Sequence, residues 1–335
     1  MCNYKYKIGI DVSKSTLDGT VLMNRKAVKT FKITNNRKSI ISLLATLKKQ
    51  AIHPQETLFC FENTGVYSHV LAHTLHEKGA VVWTESPISI KRSMGLVRGK
   101  SDIVDSYRIA LYAERFQERI HVWQPKRKAL KKLETLFKAR KATIKTMNQL
   151  KLHSQESRGQ TQDKTIIQAV LTLRPLIKAH QTTIKKIEKE IASVIAQDEK
   201  LSEQIGIITS IKGIGLQVGI ALVTATNEFS EKNQARKLAC HAGVAPFDYQ
   251  SGTSIKGRSR VSSQADKPLK TLLHLAALAH TKGKSELKKY YERKVTEGKP
   301  KMLVLNAIRN KLLARVCSCI NRGEKYQENY TRKVA

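Results

Sequence analysis

The chain has 335 residues, enough for two or three domains, and carries 61 Lys and Arg against 27 Asp and Glu, a formal net charge of +34. This excess favours a polyanionic partner over a generally basic protein or a membrane-surface protein, because neutralised phosphates release counterions and no amphipathic anchor stands out. No apolar run approaches the roughly 20 residues of a bilayer span, no secretory signal begins the chain, and the five cysteines form no CxxC pair, so we predict a cytoplasmic protein without a membrane partner or a disulfide scaffold.

The first 120 residues predict an α/β domain. Alternating patterns predict an antiparallel meander of three strands at 6–12, 17–23 and 27–33. Helical spacing and short apolar runs then predict a helix at 40–47, a strand at 58–61, a helix at 66–77, a strand at 80–84 and a helix at 102–116. Three successive strands followed by alternating helices and strands are the order of an RNase H-like domain.

Four acidic residues in this domain suit a divalent metal site. Asp11 lies in the first strand, Glu62 follows the strand at 58–61, and Asp102 and Asp105 lie three residues apart on one helix face. Such oxygen ligands can hold Mg²⁺ ions for phosphodiester cleavage. Taken singly, Glu62 could cap the next helix, and Asp102 could be an N-cap with Asp105 in the first turn. The combination favours the metal site.

Three histidines on the helix at 66–77 form a second candidate metal site. His69, His73 and His76 share one helix face and could bind Zn²⁺. No fourth ligand is evident, so an exposed or half-buried helix face is the favoured interpretation.

Residues 121–203 predict a coiled-coil hairpin. Apolar residues recur at spacings of three, four and seven in both halves of the segment. The polar stretch 153–164 predicts the connecting loop, and Pro175 predicts a kink or the start of a new helix. Such a hairpin could join subunits, bind nucleic acid through its basic face, or both.

Residues 204–335 predict a mostly α-helical domain. Residues 205–226 fit a helix-hairpin-helix around Gly213 and Gly215, where backbone N–H groups can approach a phosphate. A plain helix-breaking turn explains the same motif equally well. The remaining residues predict helices around one polar, basic loop at 247–267.

This loop contains the candidate nucleophile and candidate nucleic-acid ligands. Ser251 offers a hydroxyl that a base or metal must activate, and an ordinary turn residue is the alternative. Lys256, Arg258 and Arg260 are candidates for binding phosphate or RNA, against a solvated basic loop. Tyr249 is a rival nucleophile or a stacking platform, although packing is the favoured interpretation.

Six stretches of the chain match a known family in the family's order. They are IGIDVSK at 8–14, ENTGVY at 62–67, RGKSDIVD at 98–105, IKGIG at 211–215, LACHAGVAP at 238–246 and SGTSIKG at 251–257. With these stretches the chain resembles the DEDD transposases of bacterial insertion sequences, which are bridge-RNA-guided recombinases. The Piv-type DNA invertases are relatives of the same family.

The resemblance implies a RuvC-like domain at 1–120 whose four acids hold Mg²⁺. It implies a coiled-coil domain at 121–203, and a transposase domain at 204–335 in which Ser251 forms a covalent phosphoserine link to DNA. It also implies a homo-oligomer, a dimer or tetramer, in which acids and serine meet across subunits. The expected partners are donor DNA, target DNA and a structured noncoding guide RNA at the bacterial nucleoid.

Other functions remain open at this point. A Piv-type DNA invertase would use the same protein chemistry. A RuvC-like structure-specific nuclease would use the acids and water and leave Ser251 idle. A non-catalytic nucleic-acid-binding protein, such as a decayed copy of the element, would need none of the five residues, and their intact set argues against it.

Overall fold

The structure is a computed structural model that describes residues 4–63, 65–95, 99, 101–159, 163–230, 235–252, 254–282 and 285–328. For residues 158, 251, 255, 256 and 258 it describes the backbone alone. The chain divides into two compact units, Met1–Pro125 and Lys126–Ala335. The predicted hairpin helices therefore belong to the same compact unit as the C-terminal helices.

A five-stranded sheet forms the centre of the first unit. Its strands are β1 (Tyr6–Val12), β2 (Thr16–Met23), β3 (Lys26–Thr34), β4 (Thr57–Glu62) and β5 (Val81–Glu85). The order across the sheet is β3-β2-β1-β4-β5. The first three strands are antiparallel, and β4 and β5 run parallel to β1. This arrangement confirms the predicted RNase H-like fold.

Helices cover both faces of this sheet. They are α1 (Arg37–Lys49), α2 (Val66–Glu77), α3 (Pro87–Ser93) and α4 (Asp102–Arg115), with short 3₁₀ turns at Pro54–Glu56 and Gln117–Arg119. One buried cluster joins α1 and α2 to the face that carries Ile8 and Ile10. A second cluster joins α3 and α4 to the opposite face. Because side chains alternate along a strand, Asp11 lies on the α4 face of β1.

The second unit is mostly helical. Its elements are α5 (Lys128–Gly159), α6 (Lys164–Leu171), α7 (Leu173–Gln197), α8 (Glu199–Thr209), α9 (Leu216–Ala225), α10 (Ala235–His241), β6 (Pro246–Ser251), β7 (Ile255–Val261), α11 (Lys267–Lys282), α12 (Glu286–Thr296) and α13 (Lys301–Arg322). No helix in the described ranges is both long and apolar enough to cross a membrane.

Helices α5 and α7 form an antiparallel pair, as the apolar spacing predicts. Leu130 of α5 shares a buried cluster with Ile191 and Val194 of α7. Farther along the pair, Arg140 Nη2 lies 2.7 Å from Glu188 Oε1. Contacts between residues near the start of one helix and near the end of the other define the antiparallel direction.

The loop predicted at 153–164 is wrong for most of its length. Helix α5 continues to Gly159, and α6 begins at Lys164. Exposed polar residues with long side chains are compatible with a helix, so polarity alone did not mark its end. Residues 160–162 lie outside the described residues. Pro175 lies in the first turn of α7, where proline opens a helix without losing a hydrogen bond.

The single loop predicted at 247–267 is also wrong. Strands β6 and β7 pair as an antiparallel hairpin, with Ser251 opposite Ile255 at the turn. Tyr249 is 68% exposed, so the packing favoured for it does not extend to the core and is confined to the hairpin. Its ring covers Gly257 on the paired strand, where a Cβ atom would lie 2.6 Å from the Tyr249 ring. The missing side chain of Gly257 makes room for the tyrosine.

Candidate active site

Asp11 is positioned by the close packing of α4 on β1. A Cβ atom on Gly9 would lie 2.2 Å from both the Ala110 nitrogen and the Ser106 carbonyl oxygen, which are backbone atoms of α4. Only glycine permits this approach. A buried hydrogen bond of 2.8 Å between the Ser106 and Thr20 hydroxyls also fastens α4 to the sheet. Asp11, two residues after Gly9 on the same face, therefore lies near the N-terminal end of α4.

Glu62 lies at the same edge of the sheet as Asp11. Strands β1 and β4 are parallel, with Ile10 opposite Phe61, so Asp11 and Glu62 follow at adjacent strand ends. The N-cap of α2 is Gly65, and no side chain caps that helix. The structural alternative, in which Glu62 caps the following helix, is therefore wrong.

Asp102 and Asp105 lie in the first turn of α4. The N-cap is Ser101, whose hydroxyl accepts a hydrogen bond from the Val104 nitrogen at 3.3 Å. Asp102 is therefore not the N-cap, which corrects the structural alternative for that residue. Both carboxylates still gain from the positive end of the helix dipole, so helix stability and site chemistry favour the same residues.

All four acids line one cleft of about 680 Å³ in the first unit. We call it the acidic cleft: its walls also include Pro87, Ile90, Lys91, Met94, Gly95, Gly99, Arg108 and Ile109. Two strand ends and one helix turn thus bring together the four acids that the sequence separates by up to 94 positions (105 − 11).

The acids repel one another within the acidic cleft. Burial raises the pKa of Asp11, and the nearby charges of Asp102, Asp105 and Asp18 raise it further. Burial also raises the pKa of Glu62, with added contributions from Asp11 and Asp105. A cation placed among these groups would relieve the repulsion and favour the charged forms.

The acidic cleft has the donor chemistry of a divalent metal site. Carboxylate oxygens are the ligands that Mg²⁺ and Mn²⁺ prefer, and their mutual repulsion leaves a negative charge for a cation to balance. In the described ranges, however, no three His, Cys, Asp or Glu side chains lie close enough together to hold an ion. The four acids fit such a metal by donor type and by their shared location in the cleft.

Four residues that position or pair with acids near the cleft were not singled out from the sequence: Gly9, Asp18, Lys32 and Arg108. Gly9 permits the approach of α4. Asp18 lies opposite Asp11 on β2 and forms an ion pair with Lys32 at 3.1 Å. Arg108 forms an ion pair with Asp105 at 2.7 Å. An acid at an inward position of β2 and an arginine three residues after Asp105 were the available signals.

The candidate nucleophile lies in the second unit. The backbone places Ser251 at the end of β6, beside the turn of the hairpin. The side chains of Ser251, Lys256 and Arg258 lie outside the described residues. Arg260 lies on β7 and is exposed.

The Gly213–Gly215 turn joins α8 to α9, as the helix-hairpin-helix motif predicts. Gly213 has φ +79°, and a Cβ atom there would lie 2.5 Å from the His280 Nε2 atom. His280 is buried, and its Nε2 atom forms a 2.8 Å hydrogen bond with the Lys212 carbonyl oxygen. Gly215 is the N-cap of α9, with open space around its Cα. Packing thus explains Gly213, whereas the space at Gly215 leaves its helix N-terminus accessible.

The three histidines of α2 make ring contacts with one another or with Trp123. His73 packs edge-on against Trp123 at 5.0 Å between ring centroids, and His69 lies 5.8 Å from His73. This helix face is exposed or half-buried, as favoured from the sequence.

Comparison with known protein families gives two matches. A family profile for DEDD transposases of IS110 type, described as "Transposase", matches residues 8–156. A second profile, described as "Transposase IS116/IS110/IS902 family", matches residues 206–292. The first range contains the four acids, and the second contains Ser251 and the Gly213–Gly215 turn.

Similar proteins include DNA-inverting and insertion-element proteins. The pilin gene-inverting proteins of Moraxella bovis and Moraxella lacunata are each 26% identical over 335 residues, which cover 97% of this chain and 98% of the relative. An insertion element IS110 protein of Streptomyces coelicolor is 26% identical over 121 residues, 36% of this chain and 30% of that protein.

Among solved structures, the RuvC protein of Thermus thermophilus is similar to part of the chain. It matches both alone and in complex with a Holliday junction substrate, with a TM-score of 0.24 and 14% identity. The match covers 34% of this chain and 95% of the free RuvC chain. The strand order, and not this similarity, identifies the fold of the first unit.

Proposed function

Since this chain belongs to the IS110 family of DEDD transposases, we propose that it is a DNA recombinase that cuts and rejoins strands with four carboxylates and a serine. The observation that carries the proposal is the meeting of Asp11, Glu62, Asp102 and Asp105 in one cleft. The acids come from three distant segments, and the two family profiles match residues 8–156 and 206–292.

In the proposed reaction the four carboxylates hold divalent cations, with Mg²⁺ as the expected ion. When bound, such ions activate the attacking oxygen and stabilise the leaving oxygen of a phosphodiester. Asp11 and Glu62 are fixed by the sheet, and Asp102 and Asp105 by the first turn of α4. Lys91 and Arg108 are positive side chains in the cleft wall, where they would face the charge of a phosphate.

Ser251 is the proposed nucleophile. Its Oγ atom forms a bond to phosphorus while the bond from phosphorus to one sugar oxygen breaks. The serine proton passes to a base or to solvent, and the departing sugar oxygen takes up a proton. The phosphoserine ester conserves the bond energy, so attack by a new sugar hydroxyl rejoins the strand and frees the serine.

Nucleic-acid partners follow from charge and from the family. We propose binding of donor DNA, target DNA and a structured guide RNA, supported by the net charge of +34. Gly215, Lys256, Arg258 and Arg260 are proposed contacts. A homo-oligomer, which brings acids and serine together across subunits, and the division into domains at residues 120 and 203 belong to the same proposal.

Site-specific DNA inversion is the second candidate function. It is favoured by the pilin gene-inverting proteins, whose similarity extends over 97% of this chain. Inversion and transposition differ in the arrangement of the recombining sites, and the same cutting and rejoining chemistry serves both.

The proposal is tested by strand cleavage of labelled DNA taken from the sequences that flank the reading frame, with RNA transcribed from the same region. Cleavage should require Mg²⁺ or Mn²⁺ and should be lost in Asp11→Asn and Glu62→Gln. The matched control is Glu56→Gln, an exposed acid before the other end of β4, which should cleave like the wild type. Equal cleavage by all three variants would overturn the role of the acidic cleft.

A further inference from the structure

Two of the four carboxylates in the acidic cleft have a protein cation as partner. Arg108 Nη1 donates a hydrogen bond of 2.7 Å to Asp105 Oδ1. Lys32 Nζ lies 3.9 Å from Asp102 Oδ2. In the described part of the chain no ion pair includes Asp11 or Glu62. Among the described residues, the two acids of α4 thus form ion pairs with basic side chains, and the two acids of the sheet do not.

The contact of Lys32 is the looser of the two. Its side chain is 60% exposed, and its shorter ion pair, at 3.1 Å, is with Asp18. Asp18 is almost fully buried, with 4% of its side chain exposed, so it needs this partner more than Asp102 does. Lys32 is therefore explained by Asp18, and its contact with Asp102 is secondary.

The contact of Arg108 with Asp105 is close, and the guanidinium is also held by a backbone carbonyl oxygen. Its side chain is 18% exposed. One terminal nitrogen donates to Asp105, and the other donates to the Gly99 carbonyl oxygen at 3.3 Å. Arg108 therefore connects a candidate metal ligand with the residues that precede α4, and the guanidinium forms part of the wall of the acidic cleft.

This geometry places Arg108 in competition with a metal ion. Asp105 Oδ1 accepts the arginine hydrogen bond, and a cation bound to the same carboxylate would be repelled by the guanidinium beside it. A released guanidinium would still lie in the cleft. Its planar fork of donors matches the oxygens of a phosphate, which lysine does not match.

We propose that Arg108 holds Asp105 in the metal-free cleft, releases it when a divalent cation binds, and then binds the phosphate to be cleaved. This inference rests on the proposed function, because it assumes that the acidic cleft binds metal and DNA. In this proposal Arg108 orders the metal-free cleft and also contributes to substrate binding.

If Arg108 exchanges Asp105 for a phosphate, then replacing Arg108 should raise the affinity for metal and lower the rate of cleavage. Arg108→Gln frees Asp105 and removes a positive charge, so Mn²⁺ should bind about twofold to fivefold more tightly in the absence of DNA, the range expected for a partly exposed ion pair. Cleavage should fall, with a higher KM for DNA. Arg108→Lys keeps the charge, so Mn²⁺ affinity should return toward that of the wild type while cleavage recovers only in part. A purely structural arginine would weaken both properties together.

The test is a titration of the full chain with Mn²⁺, followed by the paramagnetic resonance of the free ion, beside cleavage kinetics. The control is Arg115→Gln, the same charge change two turns along α4 at an exposed position. Thermal unfolding confirms that each variant is folded. Tighter Mn²⁺ binding with slower cleavage in Arg108→Gln alone supports the proposal. Mn²⁺ affinity equal to that of Arg115→Gln overturns it.

Asp11→Asn separates this proposal from the proposed function. If Asp11→Asn abolishes Mn²⁺ binding while Arg108→Gln leaves it unchanged, the arginine exchange is wrong and the metal site stands. If Asp11→Asn leaves Mn²⁺ binding unchanged, the acidic cleft is not the metal site, and the proposed function fails along with the exchange.

Discussion

Gly9→Ala should disturb the acidic cleft without touching an acid. The new Cβ atom would lie 2.2 Å from two backbone atoms of α4, whereas ordinary contact begins at 3.4 Å. The helix must therefore move by about 1 Å, because backbone cannot rotate away as a side chain can. Overpacking of this kind costs roughly 1–3 kcal/mol, and a 1 Å displacement of reacting groups lowers catalysis by on the order of 100-fold.

The assay combines urea unfolding with strand cleavage. Gly206→Ala is the matched control, since nothing lies within 4 Å of a Cβ at that position of α8. Alanine should stabilise this helix by up to about 1 kcal/mol. If Gly9→Ala unfolds and cleaves like the wild type, the close packing of α4 on β1 is refuted, and with it the argument that this packing brings Asp11 to the N-terminal end of α4, where Asp102 and Asp105 lie.

Three further predictions concern stability. In the metal-free protein, Asp11→Asn should raise the free energy of unfolding at pH 7, because the raised pKa of Asp11 means that its charged form disfavours the folded state. The gain should vanish in urea titrations below the ordinary pKa of 3.8, where the carboxyl is protonated in both states. Gly213→Ala should lower the free energy of unfolding by roughly 1–3 kcal/mol, because φ is +79° and His280 fills the space. Gly215→Ala, in open space, should change it little. Glu228→Gln should cost roughly 1–2 kcal/mol by weakening the pair with Arg127, which is 44% exposed and keeps Asp198 as a partner.

Each of these three predictions has an outcome that would contradict it. Equal stability of Asp11→Asn and wild type at pH 7 would mean that neither burial nor the neighbouring acids oppose the charge of Asp11. Equal effects of the two glycine variants would mean that His280 does not fill the turn. Burial opposes ionisation of Glu228, but hydrogen bonds from Arg127 and Lys200 outweigh it and lower its pKa. The wild-type advantage over Glu228→Gln should therefore be present above the ordinary pKa of 4.5 and be lost as the pH falls through the lowered value; an advantage independent of pH would contradict the ion pair.

The sheet of the first unit could be predicted because its strands alternate or are wholly apolar. The order of strands and helices then limited the fold to very few arrangements. The hairpin of β6 and β7 escaped prediction because Ser251 and its neighbours carry small and basic side chains with no apolar alternation. The end of α5 escaped because exposed polar residues fit a helix as well as a loop.

The site could be predicted in part for a similar reason. Acids at the ends of parallel strands lie at one edge of a sheet, so Asp11 and Glu62 were expected to lie close together. The place of the Arg108–Asp105 pair in the cleft depends on which face of α4 meets the sheet, and that depends on the packing at Gly9. Pairing between Lys32 and Asp18 likewise requires the register of β2 and β3. Sequence shows these residues but not their partners.

The central claim is covalent cutting by Ser251 with the help of the acidic cleft. The most direct test is to incubate the protein, Mg²⁺, flanking RNA and labelled flanking DNA, to run a denaturing gel, and to map the labelled peptide. The account predicts a protein–DNA adduct on Ser251 that disappears in Ser251→Ala, in Asp11→Asn and with a chelator. Cleavage without an adduct, unchanged by Ser251→Ala, would contradict it and identify a metal-dependent nuclease that uses water.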